Sequence, residues 1–170
     1  MVRSFFRRSR NSTLTQQGQQ PFQQNTGMKI SKNIQTNIDN LENMLGQPAD
    51  LKVRQMKFGE GNVTCSFVYI ESVVDKKDVQ QNVLDSVQNA QNLPSENNEL
   101  FQFIYDKLIS LMDVKKGTTL DEISLPLLIG YTILFIDGID TALMVNTAGG
   151  EMRQIEEPIT ETLIRGPRAG

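Results

Sequence analysis

The residues best placed for chemistry stand near the end of the sequence, in Ile155-Glu-Glu-Pro-Ile-Thr-Glu-Thr-Leu-Ile-Arg-Gly-Pro-Arg-Ala-Gly170. Glu156 and Glu157 run into Pro158, and Arg165 and Arg168 flank Gly166-Pro167. Proline fixes its own φ and biases its predecessor away from helix, so Gly166-Pro167 reads as a turn. The two arginines come within reach of Glu156 and Glu157 if the chain folds back, and such pairs contribute direction more than energy when exposed. The chemistry is therefore ion-paired contact rather than bond making, because no nucleophile or tuned base accompanies it. A second constellation, Asp137-Gly138-Ile139-Asp140, sets two carboxylates around a tight turn. It reads chiefly as a turn in which Gly138 supplies a positive φ, with cation binding as the sharper alternative.

The chain of 170 residues has no histidine and one cysteine. Lack of histidine removes a Ser-His or Cys-His nucleophile system and the commonest zinc ligand. Cys65 lies in Val63-Thr-Cys-Ser-Phe-Val-Tyr-Ile70, where alternation places it beside Val63, Phe67 and Tyr69 as a core thiol. Glu71, Asp75, Asp78 and Asp85 form no recognisable acid–base pair and read as a solvated helix face. No phosphate-cradling glycine loop or calcium-loop spacing is present. The expectation is a protein without catalytic residues, metal or cofactor.

Composition sets the frame. Hydrophobic residues make up 38% of the chain, and the shortfall concentrates at the N-terminus. Residues 1–27 are rich in Gln, Ser and Asn and carry Arg3, Arg7, Arg8 and Arg10 with no acid. They read as a disordered tail, because they have too little apolar surface to offset the entropy of ordering. With four positive charges there, the net charge of -3 leaves the remainder at -7, which argues against a nucleic-acid-binding body. The longest apolar stretch, Leu125 to Ile136, is about twelve residues, short of the ~20 that span a bilayer.

The elements that must position these residues follow from periodicity. Ile34, Ile38, Leu41 and Leu45 make one apolar stripe, so residues 28–46 are expected to form an amphipathic helix that Gly46 and Pro48 end. Residues 51–58 and 63–70 read as a hairpin around Gly59-Glu-Gly-Asn62. Asp75 and Asp78 open a helix lined by Val79, Val83 and Val87. Leu100, Ile104, Leu108 and Leu111 define the next helix. Thr119-Leu-Asp-Glu122 matches a capping box, and Pro126 limits the short helix that follows. Residues 131–136 and 141–147 form a second hairpin around Asp137-Gly138, with 151–155 as a further edge strand. Hairpins separated by helices imply a mixed α/β (α+β) fold, with a mixed sheet covered by helices. The domain plan is tail 1–27, helix 28–46, mixed subdomain 47–158, and residues 159–170 as a junction to further sequence.

Glu156-Glu157-Pro158, then Glu161, then Arg165-Gly166-Pro167-Arg168 resembles the signature of the GerA family, the A subunits of spore germinant receptors. Ala169 stands where that family usually has Glu. The strand Tyr131-Thr-Ile-Leu-Phe-Ile-Asp-Gly138 is similar to the one the family places before the motif. The resemblance is strongest over about residues 120–168. It implies a non-enzymatic role in nutrient-triggered germination, through subunit contact and signal transmission. It also implies B and C subunits as partners and homo-oligomerisation through the full-length A subunit. Location follows as the spore inner membrane, reached by downstream segments, with this soluble region facing the spore core. The alternative is a small-molecule-binding module that uses a cleft with the downstream half.

Overall fold

The computed structural model describes residues 27–150, apart from Gly61 and Asn62. The N-terminal tail, the edge strand at 151–155 and the junction residues Glu156, Glu157, Pro158, Arg165, Gly166, Pro167 and Arg168 lie outside the described residues.

Among the described residues five strands form one sheet: β1 (Leu51–Phe58), β2 (Val63–Ile70), β3 (Val114–Gly117), β4 (Tyr131–Ile136) and β5 (Ala142–Asn146). Their spatial order is β1-β2-β4-β5-β3, and every neighbouring pair is antiparallel. The mixed α/β class with strand hairpins therefore holds, while the mixed sheet is refined to an antiparallel one. The pairing explains this: β1–β2 and β4–β5 are hairpins, and β2 meets β4 antiparallel with Phe67 opposite Leu134. All six residues of β4 are buried, as a central strand requires.

Alternation along the strands sends side chains to two cores. Cys65, Phe67, Leu134, Ile136, Leu143 and Val145 face one. It is closed by a π-helical turn (Asp78–Leu84), α2 (Asp85–Gln88) and α3 (Asn97–Ile109). Val68, Ile70, Ile133, Phe135 and Met144 face the other, closed by α1 (Ile34–Leu45) and α4 (Leu120–Leu128). The result is a three-layer α/β/α arrangement.

Local chemistry sets the ends. The helix expected over 28–46 begins only at Ile34, because the Asn33 side chain caps it by accepting from Thr36 N at 3.0 Å. The buried Asn37 clamps the preceding segment, accepting from Ser31 N and donating to Ser31 O, both at 2.7 Å. Residues 28–30 run alongside 118–120 instead, with Ile30 N donating to Thr118 O and Leu120 N to Met28 O. Helix α3 stops at Ile109, so Leu111 leaves the apolar stripe and stands 54% exposed. The Thr119–Glu122 capping box is present, and α4 runs two residues past Pro126 before Gly130 turns the chain at φ 105°.

Candidate functional site

The turn between β4 and β5 is built from backbone hydrogen bonds. Asp137 N donates to Thr64 O at 2.9 Å, and Ile139 N donates back to Ile136 O at 3.1 Å. Gly138 adopts φ 80°, which an L side chain rarely takes. Its N–H donates to Lys32 O at 2.9 Å, and its carbonyl accepts from Asn97 Nδ2 at 3.3 Å. Ile139 drops into the core, while Asp137 and Asp140 point outward. Lys32, Ser95, Glu96, Asn97 and Asp140 border an open polar groove of about 500 Å3 here. Among the described residues no third metal-binding side chain joins the two aspartates. The arrangement is a braced turn that ties the start of α1 and the start of α3 to the sheet end.

Cys65 is fully buried, and that burial pushes its thiol up to about 12. A thiol so placed is neither a nucleophile nor a ligand at neutral pH.

The opposite end of the sheet carries the path toward the junction. Asp75 N donates to Thr147 O at 2.7 Å, Val74 pairs with Ala148, and Gly149 N donates to Val73 O at 3.0 Å. Beneath them, the buried hydroxyls of Thr132 and Thr147 meet at 2.8 Å, and Thr147 Oγ1 donates to Gly130 O at 2.8 Å. Gly130 sits where these segments converge. A Cβ there would lie 2.7 Å from Ala148 Cα and 2.8 Å from Val73 O. The backbone leading into residues 151–170 is therefore held by the loop after β2 and by the first residues of β4. Sequence reasoning missed this node. Its only signals are a threonine in an otherwise apolar strand, Thr132, and a second one just past the partner strand, Thr147.

Ionic chemistry gathers beside this exit. Glu71 accepts from Lys76 Nζ at 2.8 Å and lies 3.5 Å from Lys52 Nζ. The hydrogen bond and charge of Lys76, with a smaller contribution from Lys52, hold its carboxyl below the usual range.

The class the fold defines is a three-layer α/β/α domain built on one antiparallel sheet. Residues 39–170 match the family model described as Bacillus/Clostridium GerA spore germination protein. The chain belongs to that family. It is 32% identical over 142 residues to spore germination protein KA of Bacillus subtilis (strain 168), covering 83% of this chain and 26% of that protein. It is 32% identical over 145 residues to spore germination protein GerLA of Bacillus cereus, covering 84% of this chain and 29% of that protein. An uncharacterized membrane protein of Bacillus subtilis (strain 168), YfkQ, is 34% identical over 148 residues, covering 86% of this chain and 28% of that protein. The chain thus spans less than a third of the length of the curated relatives it matches. Among solved structures, its fold matches the N-terminal domain of the A subunit of the Bacillus megaterium spore germinant receptor GerK3. The TM-score is 0.62 at 24% identity, over 72% of this chain and 49% of that one. No described helix is long and apolar enough to cross a membrane.

Proposed function

We propose that this chain is part of the soluble N-terminal region of a spore germinant receptor A subunit. It takes part in nutrient-triggered germination by subunit contact and by passing a signal through its C-terminal junction. The observation that carries this reading is the braced exit, in which Thr147, Ala148 and Gly149 hydrogen-bond to Gly130 and to Val73–Asp75. A packed, hydrogen-bonded exit transmits displacement between the sheet and the following segment, whereas a loose linker absorbs it. The role is non-enzymatic, in keeping with a chain that has no histidine and keeps its one thiol buried. The partners are the receptor's B and C subunits and further A subunits. The site of action is the spore inner membrane, with this region facing the core and the anchoring segments downstream.

The charged junction is the part to test. In the full-length receptor, Arg165→Glu or Arg168→Glu lowers the rate of nutrient-triggered germination at unchanged receptor level. Neither change lowers the unfolding temperature of the 170-residue chain by more than a degree or two. Adding Glu156→Arg or Glu157→Arg restores germination where the pair is direct. Unaltered germination in both single reversals refutes the junction role.

A further inference from the structure

A small cleft of about 160 Å3 opens on the β1 edge of the sheet, lined by Arg54, Tyr69, Glu71, Lys76, Val79 and Gln80. Three features set it apart from an ordinary surface dimple. The first is Tyr69, which is only 9% exposed yet has a hydroxyl that finds no hydrogen-bond partner among the described residues. Buried tyrosines normally satisfy that group. Because the oxygen is not itself sealed from solvent, it opens onto the cleft. The second is Arg54, whose guanidinium donates from Nη1 to Gln80 Oε1 at 2.9 Å and has no carboxylate within ion-pair distance among the described residues. Gln80 is steered in turn, because its Nε2 donates to Asp85 Oδ1 at 2.9 Å. Arg54 is thus oriented by a neutral group and keeps its charge and most of its five N–H donors for something else. The third is the backbone: Val79 and Gln80 belong to the π-helical turn Asp78–Leu84, a rare conformation that recurs at functional sites.

Charge fixes the ligand class. Arg54 and Lys76 line the cleft against one carboxylate, Glu71, which Lys76 and, from outside the lining, Lys52 already contact, while Asp85 stands behind Gln80 rather than in the lining. The cleft therefore has a surplus of positive charge, a phenol and a short apolar wall at Val79. Its volume lies well below the ~300 Å3 of drug-sized sites, so the guest is small. We propose that this cleft binds a small organic carboxylate, held by the Arg54 guanidinium and the Tyr69 hydroxyl with its carbon end toward Val79. Planar, bidentate Arg–carboxylate pairing suits the steered guanidinium.

The test is a titration of the 170-residue chain with sodium acetate, followed by amide and arginine Nε–H NMR shifts, against sodium chloride at matched ionic strength. The expected result is saturable shifts at Arg54, Tyr69 and Gln80 with acetate and none with chloride. Arg54→Gln weakens the apparent affinity at least tenfold, and Tyr69→Phe weakens it several-fold while keeping the ring and the fold. Lys57→Gln, a cation on the other face of the same strand, leaves it unchanged. Absence of saturation at these residues overturns the proposal. So does an equal loss in Lys57→Gln, which would reduce the effect to diffuse charge, or full affinity in Tyr69→Phe and Arg54→Gln.

Discussion

Replacing Gly130 by alanine tests the braced exit directly. Two costs add there. Gly130 has φ 105°, a conformation that strains an L residue by about 1–2 kcal/mol. The new Cβ would also lie 2.7 Å from Ala148 Cα and 2.8 Å from Val73 O, and backbone atoms cannot swing aside as a side-chain tip can. Overpacking of this kind costs about 1–3 kcal/mol. Together they come to about 2–5 kcal/mol, a large share of the ~5–15 kcal/mol that holds a domain folded. At roughly 2–4 °C per kcal/mol for a chain of this size, the unfolding temperature falls by roughly 4–20 °C. Gly46→Ala separates the two costs. Gly46 has φ 73° but nothing within 4 Å of a built Cβ, so it carries the backbone cost alone. Thermal unfolding of both variants, followed by far-UV circular dichroism, gives the comparison. Gly130→Ala falls further than Gly46→Ala by the packing component. Equal falls, or a fall below 2 °C at Gly130, refute the claim that three backbone segments are pressed together at the exit.

The remaining expectations concern the core thiol and a helix cap. Cys65→Ser places an unpartnered hydroxyl in an apolar core and destabilises the chain by about 1–3 kcal/mol, read by urea unfolding. A chromogenic disulfide reagent at pH 8 leaves native Cys65 unreacted and labels it at once after unfolding. Because burial raises the folded thiol from 9.0 to about 12, its contribution to stability is complete below pH 9 and is lost as pH rises toward 12. Thr119→Ala removes the α4 cap at a cost of about 1 kcal/mol. The backbone N–H groups of Thr118 and then Thr119 hold the Glu122 carboxyl below its usual range. Its contribution is present above the ordinary carboxylate pKa and lost as pH falls through the lowered one, so Glu122→Gln flattens the acid limb of the stability profile.

The elements legible in the sequence are those whose burial pattern has a single cause. Residues 131–136 read as a strand because every side chain is apolar or β-branched, and β4 is central and buried throughout. Asp137-Gly138 reads as a turn because only glycine takes φ 80° cheaply there. Strand β3 was not legible, since Val114-Lys-Lys-Gly117 offers one apolar residue in four. Its Lys116 is placed by an α3 surface, with Nζ 4.0 Å above the Tyr105 ring and 5.3 Å above Phe101. That cation–π contact depends on tertiary structure that no local window contains. The spacing of Val79, Val83 and Val87 reads as an ordinary α-helix. The wider π-helical turn buries Leu84 beside them, which a four-residue repeat does not anticipate.

The charged residues around Pro158 and Pro167 stand out in the sequence, whereas the cleft of the described structure is assembled from scattered positions. Glu-Glu-Pro and Arg-Gly-Pro-Arg are contiguous, so a linear reading finds them. Arg54, Tyr69 and Gln80 come from β1, β2 and the π-helical turn, and each alone is an unremarkable residue of its element. Sheet register brings Arg54 opposite Phe67, and hence diagonal to Tyr69 on the same face. The π-helical turn supplies Gln80 to that face, 2.9 Å from the guanidinium. Three residues beyond β2, Val73 O accepts from Gly149 N, so the cleft and the exit of the chain share the same short loop. A carboxylate seated on Arg54 and Tyr69 would press on the end of β2, and the loop from Glu71 to Asp75 would carry that displacement to Thr147–Gly149, which it hydrogen-bonds. The proposed binding cleft and the proposed signalling exit are therefore mechanically adjacent. Gly130→Ala, which disturbs the exit, is expected to leave acetate binding at Arg54 within a few-fold, because no cleft residue touches Gly130 in the contacts described.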